Sequence, residues 1–256
     1  MPPLPTRPLI GISLKTYLDL PTTLSYTHGL LSLDPLAFNA RTDLFLIPDH
    51  LTLHPCASIL APSHILLGAQ DTHWEDHGPY TGCISPLVLS QLGVRIVEIG
   101  HAERRTQFGE TDEIVSKKAA AVVRNGMVPL VCVGERRKES AASAAVGRAV
   151  EECKPQVMSV LKAIPEDAQV VFAYEPVWAI GADKPADKDH VVMVAREIKR
   201  MAVEGGRKGR VRVLYGGAAG PGTWEGVKEG VDGLFLGRFA HDIKNLKKVL
   251  EEVGGS

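Results

Sequence analysis

The stretch Val170-Val-Phe-Ala-Tyr-Glu175 is six residues long, apolar without a break through Tyr174, and closed by a carboxylate before Pro176. A run with no polar alternation suits a strand buried on both faces, as in a parallel sheet. Seven other runs share this character: Leu9–Lys15, Leu44–Pro48, Ile65–Gln70, Ile96–Gly100, Val128–Gly134, Arg212–Gly217 and Gly233–Gly237. Their first and last members, Leu9 and Gly233, stand seven repeats apart, which makes each repeat about 32 residues. That is the length of one strand, one crossover helix and two loops.

Helical periods lie between the runs. Glu113–Asn125 has apolar residues at 114, 115, 119, 122 and 123 and stops at Gly126. Asp189–Glu204 and Ile243–Val253 repeat the pattern and end in Gly205-Gly206 and Gly254-Gly255. Ser85-Pro86 reads as an N-cap followed by proline at the first helical position. Eight β-then-α units over residues 1–256, with no linker, predict a single-domain α/β fold, the (β/α)8 TIM barrel. An open doubly wound sheet is the rival, but the first βα turn lacks G-x-G-x-x-G.

Composition narrows the function classes. The 256 residues carry 29 basic and 30 acidic side chains, a net charge of −1, so no sustained basic field invites nucleic acid or a membrane surface. With 45% hydrophobic and 23% charged residues the chain can bury a sizeable core, and with 5% aromatics that core is aliphatic. Four cysteines, none in a C-x-x-C pair, suit a reducing compartment, and no signal-like or membrane-spanning run is present. A cytoplasmic protein is expected.

A barrel gathers its chemistry at the C-terminal ends of its strands. The first strand ends in Ser13-Leu14-Lys15, the fourth in Gly100-His101-Ala102-Glu103, and the sixth in Tyr174-Glu175-Pro176. The seventh ends in Gly216-Gly217-Ala218 and the eighth in Gly237-Arg238. A lysine, a histidine and a glutamate thus meet on one rim beside glycine turns whose N–H groups can approach a phosphate. Taken singly, Lys15 reads as a surface lysine and His101 as a structural histidine. Glu175 reads differently, because a carboxylate beside an apolar barrel core is costly without a purpose.

Three motifs resemble the triosephosphate isomerase family. Ile99 to Arg105, I-G-H-A-E-R-R, is similar to the family's I-G-H-S-E-R-R; Ala173 to Gly181, A-Y-E-P-V-W-A-I-G, matches its catalytic strand and lid start; Leu214 to Gly217 matches its phosphate turn. The resemblance implies that Glu175 is a general base, that neutral His101 polarises the carbonyl, and that Lys15 stabilises the enediolate. It implies supporting roles for Ser13 and Glu103, and phosphate contacts at Gly181, Gly217, Ala218, Gly237 and Arg238. It further implies a lid over Val177 to Ala186, hinged at Pro176-Val177-Trp178 and Lys184-Pro185-Ala186. Also implied are a homodimer through the Asp71 to Thr81 loop, a small phosphorylated sugar substrate in glycolysis and gluconeogenesis, and no metal or organic cofactor.

Several positions depart from that family. Ser13 stands where it has asparagine, Ala218 where it has serine, Arg238 where it has a second glycine, and Cys83 where it has an acidic residue. A lost hydroxyl at Ala218 removes a charge-assisted hydrogen bond of roughly 1.5–3 kcal/mol, which Arg238 can replace. The main expectation is interconversion of dihydroxyacetone phosphate and glyceraldehyde 3-phosphate. The alternative is a four-carbon ketose phosphate, L-erythrulose 1-phosphate to D-erythrulose 4-phosphate, because the chain also resembles a branch of the family assigned to erythrulose phosphates. Two other classes are weighed. His73-Trp74-Glu75-Asp76-His77 could seed a metal-dependent aldolase if helical, which Gly78-Pro79 argues against. A non-catalytic binding barrel would have lost Lys15, His101 or Glu175.

Overall fold

The computed structural model describes residue 4 and residues 7–39, 41–182 and 185–255. Its eight strands are β1 (Leu9–Ser13), β2 (Asp43–Ile47), β3 (Leu66–Ala69), β4 (Ile96–Ile99), β5 (Val128–Val133), β6 (Val170–Tyr174), β7 (Val211–Tyr215) and β8 (Gly233–Leu236). All pair in parallel, in chain order, and β1 pairs with β8 to close a barrel. Each expected run overlaps one strand, and β2 and β7 begin one residue before theirs.

Alternation along the strands sorts the core into two sets. One faces inward and includes Leu9, Phe45, Ile96, Leu130, Ala173, Leu214 and Phe235. Gly11 is paired with Phe45, and any Cβ there would overlap the ring, which instead stacks on Phe235 with centroids 5.9 Å apart. The larger set faces the helices and includes Ile10, Leu46, Val97, Val131, Phe172 and Val213.

The predicted helices are found at Asp112–Arg124, Lys188–Glu204 and Ile243–Gly254, each within a residue of expectation. Ser85 caps the helix Pro86–Gln91 by accepting from the Val88 N–H. Thr111, Asp187 and Asp242 cap the three longer helices in the same way. The helix Ala142–Ala163 has Pro155 inside it, and its many small residues give it a weaker apolar period. No helix among the described residues is long and apolar enough to cross a membrane.

Candidate active site

The end of β1 turns sharply. Lys15 takes φ +48°, a left-handed backbone that costs a branched or long side chain of order 1–3 kcal/mol. The Gln70 amide holds this turn by donating to the Lys15 carbonyl at 2.7 Å. The ammonium then reaches Glu103 Oε1 at 2.7 Å. Burial pulls the Lys15 pKa down, but its hydrogen bond to Glu103 and the charges of Glu103, Glu175 and Glu98 outweigh it and hold it above its ordinary value.

His101 opens the helix Ala102–Gln107. Its Nδ1 accepts from the Glu103 N–H at 3.2 Å, which fixes the ring. With Nδ1 accepting, a neutral ring carries its proton on Nε2. Nε2 lies 3.4 Å from Glu175 Oε2. Both side chains are buried, His101 at 5% and Glu175 at 6% exposure.

Glu175 continues β6 by one residue, its N–H donating to the Val133 carbonyl at 2.8 Å. Its carboxylate lies against Gly216, where a Cβ would collide with it. Oε2 is buried and has no hydrogen-bond donor among the described residues, so its lone pairs are uncommitted.

These groups line a cavity of about 440 Å³. All five expected phosphate contacts, Gly181, Gly217, Ala218, Gly237 and Arg238, line the same cavity as Lys15. Gly181 has φ +71° and faces the Arg238 guanidinium, which also lies 5.8 Å above the Tyr17 ring. The cavity therefore combines the cations Lys15 and Arg238 and several glycine turns with Glu175 and His101.

The turn after β6 and the strand itself share an anchor. Glu135, just past β5, accepts from Trp178 Nε1 at 2.8 Å and from the Tyr174 hydroxyl at 3.1 Å, while His190 lies 3.3 Å away. The far side is tied where the Ala186 N–H donates to the Tyr215 hydroxyl at 3.1 Å. Lys184, named as part of the second hinge, lies outside the described residues.

The residue that the sequence reading missed is Glu98. It sits in β4, inside a run taken as apolar throughout, and is 3% exposed. Ser13 Oγ donates to its Oε2 at 3.0 Å. Burial pushes its carboxyl up to about 7, with the charge of Glu175 adding to the effect and His101 and the Ser13 hydrogen bond opposing it. Period-two counting would have found it, because Ile96 faces inward and Glu98 shares its side of the strand.

The segment 73–77 is irregular rather than helical, so the paired-histidine geometry does not form. His73 Nδ1 is used by the Glu75 N–H at 3.0 Å, and its ring stacks on Trp74 and against Tyr80. No group of three His, Cys, Asp or Glu among the described residues could hold a metal ion.

Residues 8–253 match the family model described as triosephosphate isomerase. An L-erythrulose-1-phosphate isomerase of Pectobacterium atrosepticum is 40% identical over 251 residues, 95% of this chain and 94% of that protein. Proteins of the same name from Rhizobium etli and Rhizobium meliloti are each 38% identical, over 96% and 95% of this chain and 92% and 96% of theirs.

Proposed function

The chain belongs to the triosephosphate isomerase family, and from that premise we propose that it interconverts L-erythrulose 1-phosphate and D-erythrulose 4-phosphate. The observation that carries this reading is the shared name of relatives aligned over nearly all of both chains. The departures at Ala218 and Arg238 support it, since they fall at the expected phosphate contacts and spare the proton-transfer groups.

The reaction follows from the geometry of the cavity. Glu175 takes the C3 proton of L-erythrulose 1-phosphate, and the electron pair moves into an enediolate whose charge lies on O2. His101 Nε2–H and the Lys15 ammonium stabilise that charge. His101 moves a proton between the two oxygens, and protonated Glu175 returns its proton to C2. The old carbonyl becomes a carbinol, C3 becomes the carbonyl, and nothing is gained or lost. The phosphate sits among Gly181, Gly217, Ala218, Gly237 and Arg238, while residues 177–186 close over it and exclude water.

Residues 71–81 form the arm of a homodimer in this reading. Its midpoint is pinned where Arg124 and Asn125 bind Asp76, and residues 77–81 after it are exposed. Leu51, Phe108 and Tyr17 leave apolar surface for a partner's arm. Sedimentation at two concentrations checks this, and a monomer at both removes it.

The second reading is the triose substrate, favoured by the complete set of Lys15, His101 and Glu175. The deciding experiment compares specificity constants for L-erythrulose 1-phosphate and dihydroxyacetone phosphate. A ratio above about 100 in favour of the tetrulose is expected, whereas a ratio in favour of the triose selects the second reading.

A further inference from the structure

Ser13 and Glu98 form a polar pair on the inward face of β1 and β4 that the proton transfer leaves unused. The Ser13 hydroxyl donates to Glu98 Oε2 at 3.0 Å, which orients the carboxylate. Oε1 is the carboxylate oxygen that Ser13 does not use, and the Ser13 oxygen keeps its lone pairs free to accept. Both residues line a second cavity, of about 490 Å³, which meets the first across Lys15, His101 and Glu103.

This placement has an order to it. Of the two cavities, the glycine turns, Arg238 and Glu175 line only the first, Glu98 lines only the second, and Ser13, Lys15, His101 and Glu103 line both. A ketose phosphate held by its phosphate at the glycine turns, with its reacting carbons beside Glu175 and His101, can extend its far end past His101 toward Glu98 and the Ser13 hydroxyl. In a triose that far carbon carries only hydrogen beyond its oxygen. In a tetrulose it carries a hydroxymethyl group, which offers one donor and one acceptor. The pair offers the complement: an acceptor at Oε1 and, when Glu98 is protonated, a donor. Burial lifts that carboxyl toward neutrality, so both forms are accessible.

We propose that Ser13 and Glu98 bind the terminal hydroxymethyl group of a four-carbon ketose phosphate and thereby select it over three-carbon substrates. The proposal rests on the four-carbon reading above. A site built to hydrogen-bond a hydroxyl discriminates strongly against a ligand that lacks it, because its buried polar groups are then left unpaired.

The test measures L-erythrulose 1-phosphate and dihydroxyacetone phosphate with the wild type and with Glu98→Leu, Glu98→Gln and Ser13→Ala, reading each ligand by KM or, if it is not turned over, by its inhibition constant. Circular dichroism checks the fold of each variant. Glu98→Leu should lower the tetrulose-over-triose ratio at least tenfold, through KM rather than kcat, and Glu98→Gln should restore most of it. Should Glu98→Leu fail to fold, Ser13→Ala carries the same test with an expected fall of about threefold or more. An unchanged ratio, whether both ligands weaken in parallel or neither does, overturns the proposal. A wild type that does not act on the tetrulose overturns the four-carbon reading itself, and is seen before any variant is made.

Discussion

Gly216 lies directly against the carboxylate of Glu175, with no room for a side chain between them. The glycine thus fixes where the base can stand. Gly216→Ala would force the carboxylate away from His101 Nε2, 3.4 Å distant in the native site. A displacement of about 1 Å costs on the order of 100-fold in rate. We expect kcat to fall by about that factor with the fold intact, measured by steady-state kinetics alongside circular dichroism. Unaltered kcat would show that the contact does not position Glu175.

Glu175→Gln keeps the volume and removes the base. Turnover should drop by roughly 100-fold to 10,000-fold, the usual contribution of a positioned general base. Exchange of substrate hydrogen with deuterated solvent should fall in step. If exchange persists at the native rate, another group takes the proton.

Arg238 reaches the cavity from an exposed position. A charge-assisted hydrogen bond there is worth roughly 1.5–3 kcal/mol before solvent screening, which reduces it. Arg238→Ala should therefore raise KM by about tenfold and leave kcat less affected. The salt dependence of KM should also flatten. A KM that keeps its value and its salt dependence would exclude Arg238 from phosphate binding.

Glu98 ties stability to pH. Its folded pKa of about 7 stands above the ordinary 4.5, so the folded chain prefers the protonated form. Stability from this group is full below about 4.5 and falls as pH rises through 7. The difference corresponds to about 3 kcal/mol. Glu98→Gln should match the wild type near pH 4 and exceed it near pH 8. Urea midpoints at both pH values check this, and equal midpoints at pH 8 would refute it.

Much of the architecture was legible because two-sided burial leaves an unbroken apolar run, and eight such runs need no tertiary information to count. Lys15, His101 and Glu175 stood out because each follows a strand. Glu98 did not, because it lies within a strand, where averaging over Ile96–Ile99 hides one inward-facing charge. The anchoring of Trp178 and Tyr174 by Glu135 was also hidden, since those residues lie about 40 apart along the chain and meet only when β5 and β6 pair. The helix Ala142–Ala163 escaped notice because alanines and Pro155 dilute its period.

The pairing of β1 with β8 also sets when the barrel can close during biosynthesis. As the chain leaves the ribosome, Leu9 waits for Gly233, so one edge of β1 stays open until nearly the whole chain has been made. Nascent chains that stall after β7 expose two unpaired edges, the surfaces on which aggregation begins and which chaperones must shield.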